Sequence, residues 1–207
     1  MISLSSSIIE DLEAVRKAGL ASVAYYYFDF KDTDKQALRG LLSSLLLQLA
    51  AGSDASYDIL NQLYERRDTG TRQASERDLM ECLMEVLAFP GQGKVYIIVD
   101  ALDECPDNSG TPASREKVLE FVDKLLSLRP PHVRVCITSR PEVDIQSSLQ
   151  SLTSHCVSLH NEVGQSKDII AYIKHFVESD RKIMMGKWRE EDKELVIDTL
   201  ARKAQGM

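Results

Sequence analysis

No stretch of this 207-residue chain is apolar for long enough to span a bilayer. The most apolar helical candidate, 41–51, is interrupted by Ser43, Ser44 and Gln48. The first residues, Met1-Ile2-Ser3-Leu4-Ser5, lack the basic start and long apolar core of a signal peptide. Basic charge is in deficit. Twenty-five Lys and Arg against 32 Asp and Glu leave a net charge of −7, which argues against a surface built for nucleic acid or anionic membrane. Cysteine is scarce, and Cys82, Cys105, Cys136 and Cys156 form no C-x-x-C pair. A zinc site or disulfide framework is therefore not expected, and a reducing, cytoplasmic setting is. Cys136 and Cys156 fall in apolar strand candidates, where a free thiol acts as a small hydrophobe. The histidines, 132, 155, 160 and 175, have no metal-binding spacing. There is no G-x-S-x-G elbow for a hydrolase serine.

What is present is concentrated at 94–104, Lys-Val-Tyr-Ile-Ile-Val-Asp-Ala-Leu-Asp-Glu. The β-branched and aromatic run 95–99 is too short for a helix and too apolar for a surface. It reads as a strand buried on both faces. It ends in Asp100, followed by Asp103 and Glu104. Carboxylates at the C-terminal edge of a buried parallel strand lie where open α/β sheets bind ligands. Asp100 there can hold Mg²⁺, and Asp103 or Glu104 can orient or deprotonate an attacking water. This is the pattern of a Walker B motif. The plainer alternative is a strand end with solubilising acids.

Strand and helix signals alternate along the rest of the chain. Helices are expected over 5–17 (closing at Gly19), 35–50, 55–67, 75–88, 114–128, 166–179 and 189–204. Asp32, Thr33 and Asp34 offer caps for the second of these, and Ser75-x-x-Asp78 resembles a capping box for the fourth. Strands are expected over 22–30, 94–100, 132–138 and 155–159. Such alternation implies an α/β fold, a parallel sheet with helices on both faces. A second polar strand end follows 133–137: Thr138-Ser139-Arg140-Pro141. It faces the same rim as Asp100, and Arg140 could reach a phosphate there with its planar fork.

Four of these stretches, Ala24-Tyr-Tyr-Tyr-Phe-Asp-Phe30, Asp32 through Leu49, Tyr96 through Cys105 and Ile137-Thr-Ser-Arg-Pro141, together resemble the NACHT class of signal-transducing P-loop NTPases. The form they resemble is the nephrocystin-like one of fungal NLR-like proteins. The resemblance runs over nearly the whole chain. It implies a three-layer P-loop NTPase core, a Mg²⁺-dependent ATP or GTP switch and homo-oligomerisation within a larger, multidomain protein. It also implies residue roles. Asp100 would serve Mg²⁺, Asp103 or Glu104 would handle the water, and Arg140, with Thr138 and Ser139, would sense the γ-phosphate.

One departure weighs against turnover. G-x-x-x-x-G-K-[ST] occurs nowhere in the 207 residues. Gly91-Gln92-Gly93-Lys94 leads into a strand and is followed by Val95, so it reads as a turn. The stretch 4–12 looks like the helix that follows a P-loop. The chain is therefore expected to be a piece of the domain lacking the P-loop strand, binding nucleotide weakly or not at all. The alternative is a degenerate, non-catalytic scaffold of the same fold. The expected sheet order is 155–159, a one-strand gap, 133–138, 95–100, 23–29.

Overall fold

The computed structural model describes residues 4–67, 69–89, 91, 93–107, 114–128, 130–158, 170–177 and 189–204. These form two compact units, Met1–Thr153 and Ser154–Met207.

The first unit runs α1 (Leu4–Lys17), β1 (Ala21–Tyr27), α2 (Leu38–Ala51), α3 (Asp54–Arg66), α4 (Glu76–Ala88), β2 (Lys94–Asp100), α5 (Ser114–Ser127), β3 (Val133–Ile137) and α6 (Val143–Leu149). The three strands are parallel, in the order β1-β2-β3. Ala21 to Tyr27 lie opposite Lys94 to Asp100, and Val95 to Val99 lie opposite Val133 to Ile137. The expected α/β class and the order of these three strands are both present.

Strand alternation sorts the sheet's side chains between two helical layers. Ala24, Tyr26, Phe28, Val95, Ile97, Val99 and Val133 point into the main core with α2, α4 and α5. Val23 and Ile98 point the other way, onto Ile9 of α1, with Tyr25, Tyr27, Tyr96 and Cys136 partly covered beside them. The leucines of α2 belong to the main core: Leu41, Leu42, Leu45 and Leu49 have no exposed surface. Among the described residues no helix is long and apolar enough to cross a membrane.

Helix ends follow local chemistry. Gly19 adopts φ +68°, and the amides of Gly19 and Leu20 close onto the carbonyls of Arg16 and Val15. That is a Schellman cap, in which glycine avoids a Cβ clash. Ser75 and Asp78 form the expected capping box on α4. The start of α2 differs from expectation. Asp32, Thr33 and Asp34 do not cap it; a 3-10 turn occupies Thr33–Lys35, and α2 begins at Leu38 after extended Ala37. Tertiary contacts hold this segment out of the helix. The Gln36 amide donates to the carbonyls of Asp29 (3.3 Å) and Phe30 (2.6 Å), and the Gln36 carbonyl accepts the Cys105 thiol.

Gln48, polar within the apolar α2, has a structural task. Its amide pairs with the outer edge of β1: Oε1 accepts the Tyr25 N–H at 3.0 Å and Nε2 donates to the Tyr25 carbonyl at 2.7 Å. A side chain thus stands in for a neighbouring strand and blunts an edge. Gln48→Met keeps the volume but strands two part-buried backbone groups. We expect a loss of about 2 kcal/mol, from ~1–3 for each unmatched group less partial rescue by water. Urea denaturation checks this; an unchanged midpoint would show that the edge needs no cap.

The second unit contributes α7 over 170–177 and α8 (Glu190–Ala204). Residues 166–169 and 178–179 of the expected helix lie outside the described residues. In α7, Tyr172 and Phe176 stack with ring centroids 6.5 Å apart. The Arg189 N–H donates to Asp192 at the start of α8. The strand expected over 155–159 is corrected: 155–158 carry no strand, and Leu159 lies outside the described residues. Cys156 is accordingly exposed, not packed in a strand. An apolar run becomes a strand only where its backbone finds a ladder partner, and no described strand pairs with 155–158.

Candidate functional site

The parallel register brings the ends of all three strands to one rim. Tyr27 lies opposite Asp100, and Thr138, one residue past β3, donates its N–H to the Val99 carbonyl. Alternation then decides which way these side chains point. Asp100 and Thr138 follow Ile98 and Cys136 onto the face covered by α1. There the fully buried Ser5, in the first turn of α1, donates its hydroxyl to Asp100 Oδ1, and the Thr138 hydroxyl donates to the same oxygen. Thr138 Oγ1 in turn accepts the Ala101 N–H at 3.1 Å.

Ala101 turns the chain sharply. It sits in the left-handed region, φ 55° and ψ 48°, a conformation that costs a non-glycine residue about 1–2 kcal/mol. The turn sends Leu102–Glu104 into a single 3-10 turn, anchored by fully buried Leu102. Two of its amides are matched: the Leu102 N–H donates to the Thr138 carbonyl at 3.0 Å and the Glu104 N–H to the Ala101 carbonyl at 2.9 Å. Asp103 faces the β3 side. It accepts the Arg140 N–H at 3.0 Å and pairs with Arg140 Nε at 3.4 Å, the arginine being 79% exposed and Asp103 10%. Glu104 faces the β1 side and accepts the Phe30 N–H at 3.2 Å. Between them opens a cleft of about 500 Å³, bordered by Phe30, Gln36, Asp103, Glu104, Arg115 and Arg140.

Of the six residues singled out from the sequence, four pair by direct contact, Asp100 with Thr138 and Asp103 with Arg140, and Glu104 lies on the same turn as Asp103. Ser139 is the exception. Its hydroxyl donates to the neighbouring Arg140 carbonyl, on the exposed side of the loop. Two residues of the site were not picked out. Ser5 lay in an unremarkable Ser-rich helix start. Arg115 was detectable, since it falls on the inward stripe of α5 with Val118, Leu119 and Val122, where a charge is out of place.

Burial disfavours the thiolate form of both thiols beside the site. Burial pushes Cys105 up to about 11, against a smaller opposing pull from Arg115. Burial, and then the charge of Asp100, raises Cys136. Tyr27 is raised mainly by burial, with Asp100 adding to it.

Among the described residues no three His, Cys, Asp or Glu side chains converge into a cage. What converges is one carboxylate and two hydroxyls, all hard oxygen donors. That suits Mg²⁺ of the kind held by one or two protein oxygens and completed by phosphate and water, and not a cation resident on protein ligands alone.

By class the domain is an α/β protein, a parallel sheet between helical layers, and its acids and arginine lie at the C-terminal rim, where sheets of this class bind ligands. The sequence model of the family described as nephrocystin 3, N-terminal, matches residues 3–140. The chain belongs to that family. The match spans α1 through Arg140, and so contains Ser5, all three acids, Arg115 and the Thr138-Ser139-Arg140 strand end. No curated protein and no solved structure gives a significant match to the chain.

Proposed function

We propose that this domain is part of a nucleotide-dependent signalling switch of the P-loop NTPase type, of the NACHT class, taking Mg²⁺ with ATP or GTP. The observation that carries the reading is the hydroxyl-clamped carboxylate of Asp100 at the end of the middle strand, with a second acidic turn and an arginine on the same rim. Mg²⁺, when bound, offsets phosphate charge. Asp100 would hold it, with the Ser5 and Thr138 hydroxyls fixing the carboxylate's orientation. Glu104 or Asp103 would position a water. Arg140 would meet a terminal phosphate. Its side chain is 79% exposed, so the fork can turn to an anion while the Arg140 backbone N–H stays on Asp103.

A phosphate-cradling G-x-x-x-x-G-K-[ST] loop does not occur in the sequence of residues 1–207. On this reading it comes from sequence joined to this chain or from another chain, and the domain works within a larger, self-associating protein. A second reading keeps the fold as a scaffold without turnover. It is favoured by the engagement of Asp103 and Glu104 with the protein's own Arg140 and Phe30 N–H.

Titration calorimetry with Mg-ATP and Mg-GTP separates the two. The chain alone should show no micromolar binding, because it has no G-x-x-x-x-G-K-[ST] loop whose N–H groups and lysine would hold the phosphates. The chain joined at its N-terminus to a strand and G-x-x-x-x-G-K-[ST] loop should bind in a Mg²⁺-dependent way. A folded, joined chain that binds neither nucleotide would favour the scaffold. Micromolar binding by the chain alone would overturn the assigned division of labour.

A further inference from the structure

Arg115 is 7% exposed, on the first turn of α5. A guanidinium in that position is tolerated only if its N–H groups are matched. Arg115 matches them with the acidic turn itself. Nε donates to the Cys105 carbonyl at 2.8 Å and Nη2 to the Asp103 carbonyl at 2.6 Å. Its own backbone N–H donates to the Pro106 carbonyl at 2.9 Å. On the far side, Nη1 pairs with Asp144 of α6 at 3.2 Å. One side chain therefore grips the loop leaving β2 by two carbonyls and the helix following β3 by a carboxylate.

We infer that Arg115 is the positioning residue of the acidic turn, fixing the backbone of residues 103–105 so that Asp103 and Glu104 hold their two separate directions. Two features make a clamp necessary. The turn begins at Ala101 in a strained left-handed conformation, which persists only where surroundings enforce it. The contacts on its solvent side reach only the 79% exposed Arg140 and the Phe30 N–H. The firm restraint comes from beneath, from Arg115 and Leu102. Lysine cannot replace it, since an ammonium on a flexible stem has no planar fork to span two carbonyls. The positioning role holds whatever ligand the rim takes. Its consequence for nucleotide chemistry rests on the reading proposed above.

The chain carries its own reporter. Cys105 has no exposed surface and ends the clamped turn; Cys82, on α4 and outside it, is also buried, at 4% exposed. Alkylation by iodoacetamide, resolved by site with mass spectrometry, compares the two thiols in the intact chain and in Arg115→Lys and Arg115→Met. Cys105 should react about tenfold faster or more in both variants, the factor one lost charge-assisted hydrogen bond corresponds to, while Cys82 keeps its rate. Removing the Arg115 charge in Arg115→Met would by itself push the Cys105 thiol further up and slow it, so acceleration there reports opening of the turn. Equal acceleration of both thiols would mean general destabilisation and would overturn the positioning role, as would an unchanged Cys105. Should Arg115→Met not fold, Arg115→Lys decides the matter alone. No nucleotide is used, so the outcome is independent of the calorimetric test.

Discussion

Asp100→Asn, made in the chain joined to a phosphate-binding loop, is expected to weaken Mg-nucleotide binding at least about thirtyfold. Removing one charged partner of a desolvated ionic contact costs ~2–5 kcal/mol, and the lower bound converts to that factor. Asparagine keeps an oxygen that can accept the Ser5 and Thr138 hydroxyls, so the fold should survive and thermal melts should coincide with the parent. Glu104→Gln should leave affinity near that of the parent and slow turnover, because it removes the group that orients water but no charge from the metal. Arg140→Ala should erode the preference for triphosphate over diphosphate. Parent-like affinity and turnover in all three would leave the rim without a nucleotide role.

Leu45→Ala should cost ~2–5 kcal/mol, the range for truncating a fully enclosed leucine where the surroundings close only partly over the cavity. Leu45 has no exposed surface and sits mid-way along α2, the helix that packs on both β1 and α4. Against a total stability of ~5–15 kcal/mol, such a loss is a large fraction. Leu47, two residues on, is 64% exposed. Its replacement by Ala should move stability by no more than ~0.5 kcal/mol. Denaturant titration of the pair tests the facing of α2 directly; equal midpoints would mean the helix is turned otherwise.

Much of the fold was readable because it rests on short-range chemistry. The run 95–99 is a strand for its branched side chains and becomes the middle strand because its apolarity suits burial on both faces. Ser75 and Asp78 cap α4 through contacts three residues apart. Gly19 ends α1 because only glycine takes φ +68° without strain. The errors have the opposite character. Asp32–Asp34 carry good capping side chains, yet α2 starts later because Gln36 is bound by Asp29, Phe30 and Cys105. The stretch 155–158 has strand composition and no strand.

The candidate site divides along the same line. Residue type and position at strand ends mark Asp100, Asp103, Glu104, Thr138 and Arg140, because a buried run ending in polar groups must place them at a sheet rim. Their partners could not be read off. Asp100 meets Ser5 across 95 residues of chain, and Asp103 meets Arg140 across 37. Arg115 stands out on the apolar stripe of α5, but its hold on two carbonyls depends on where the loop after β2 comes to lie. The sequence by itself determined the elements, their order and which of their ends are polar, since propensity, periodicity and capping act within a few residues. Only the tertiary structure decided that Asp100 turns toward α1, that Asp103 and Glu104 part in opposite directions, and that a buried arginine holds them there. Those outcomes depend on strand register and on which groups desolvate together, and both are set by packing between segments far apart in the chain.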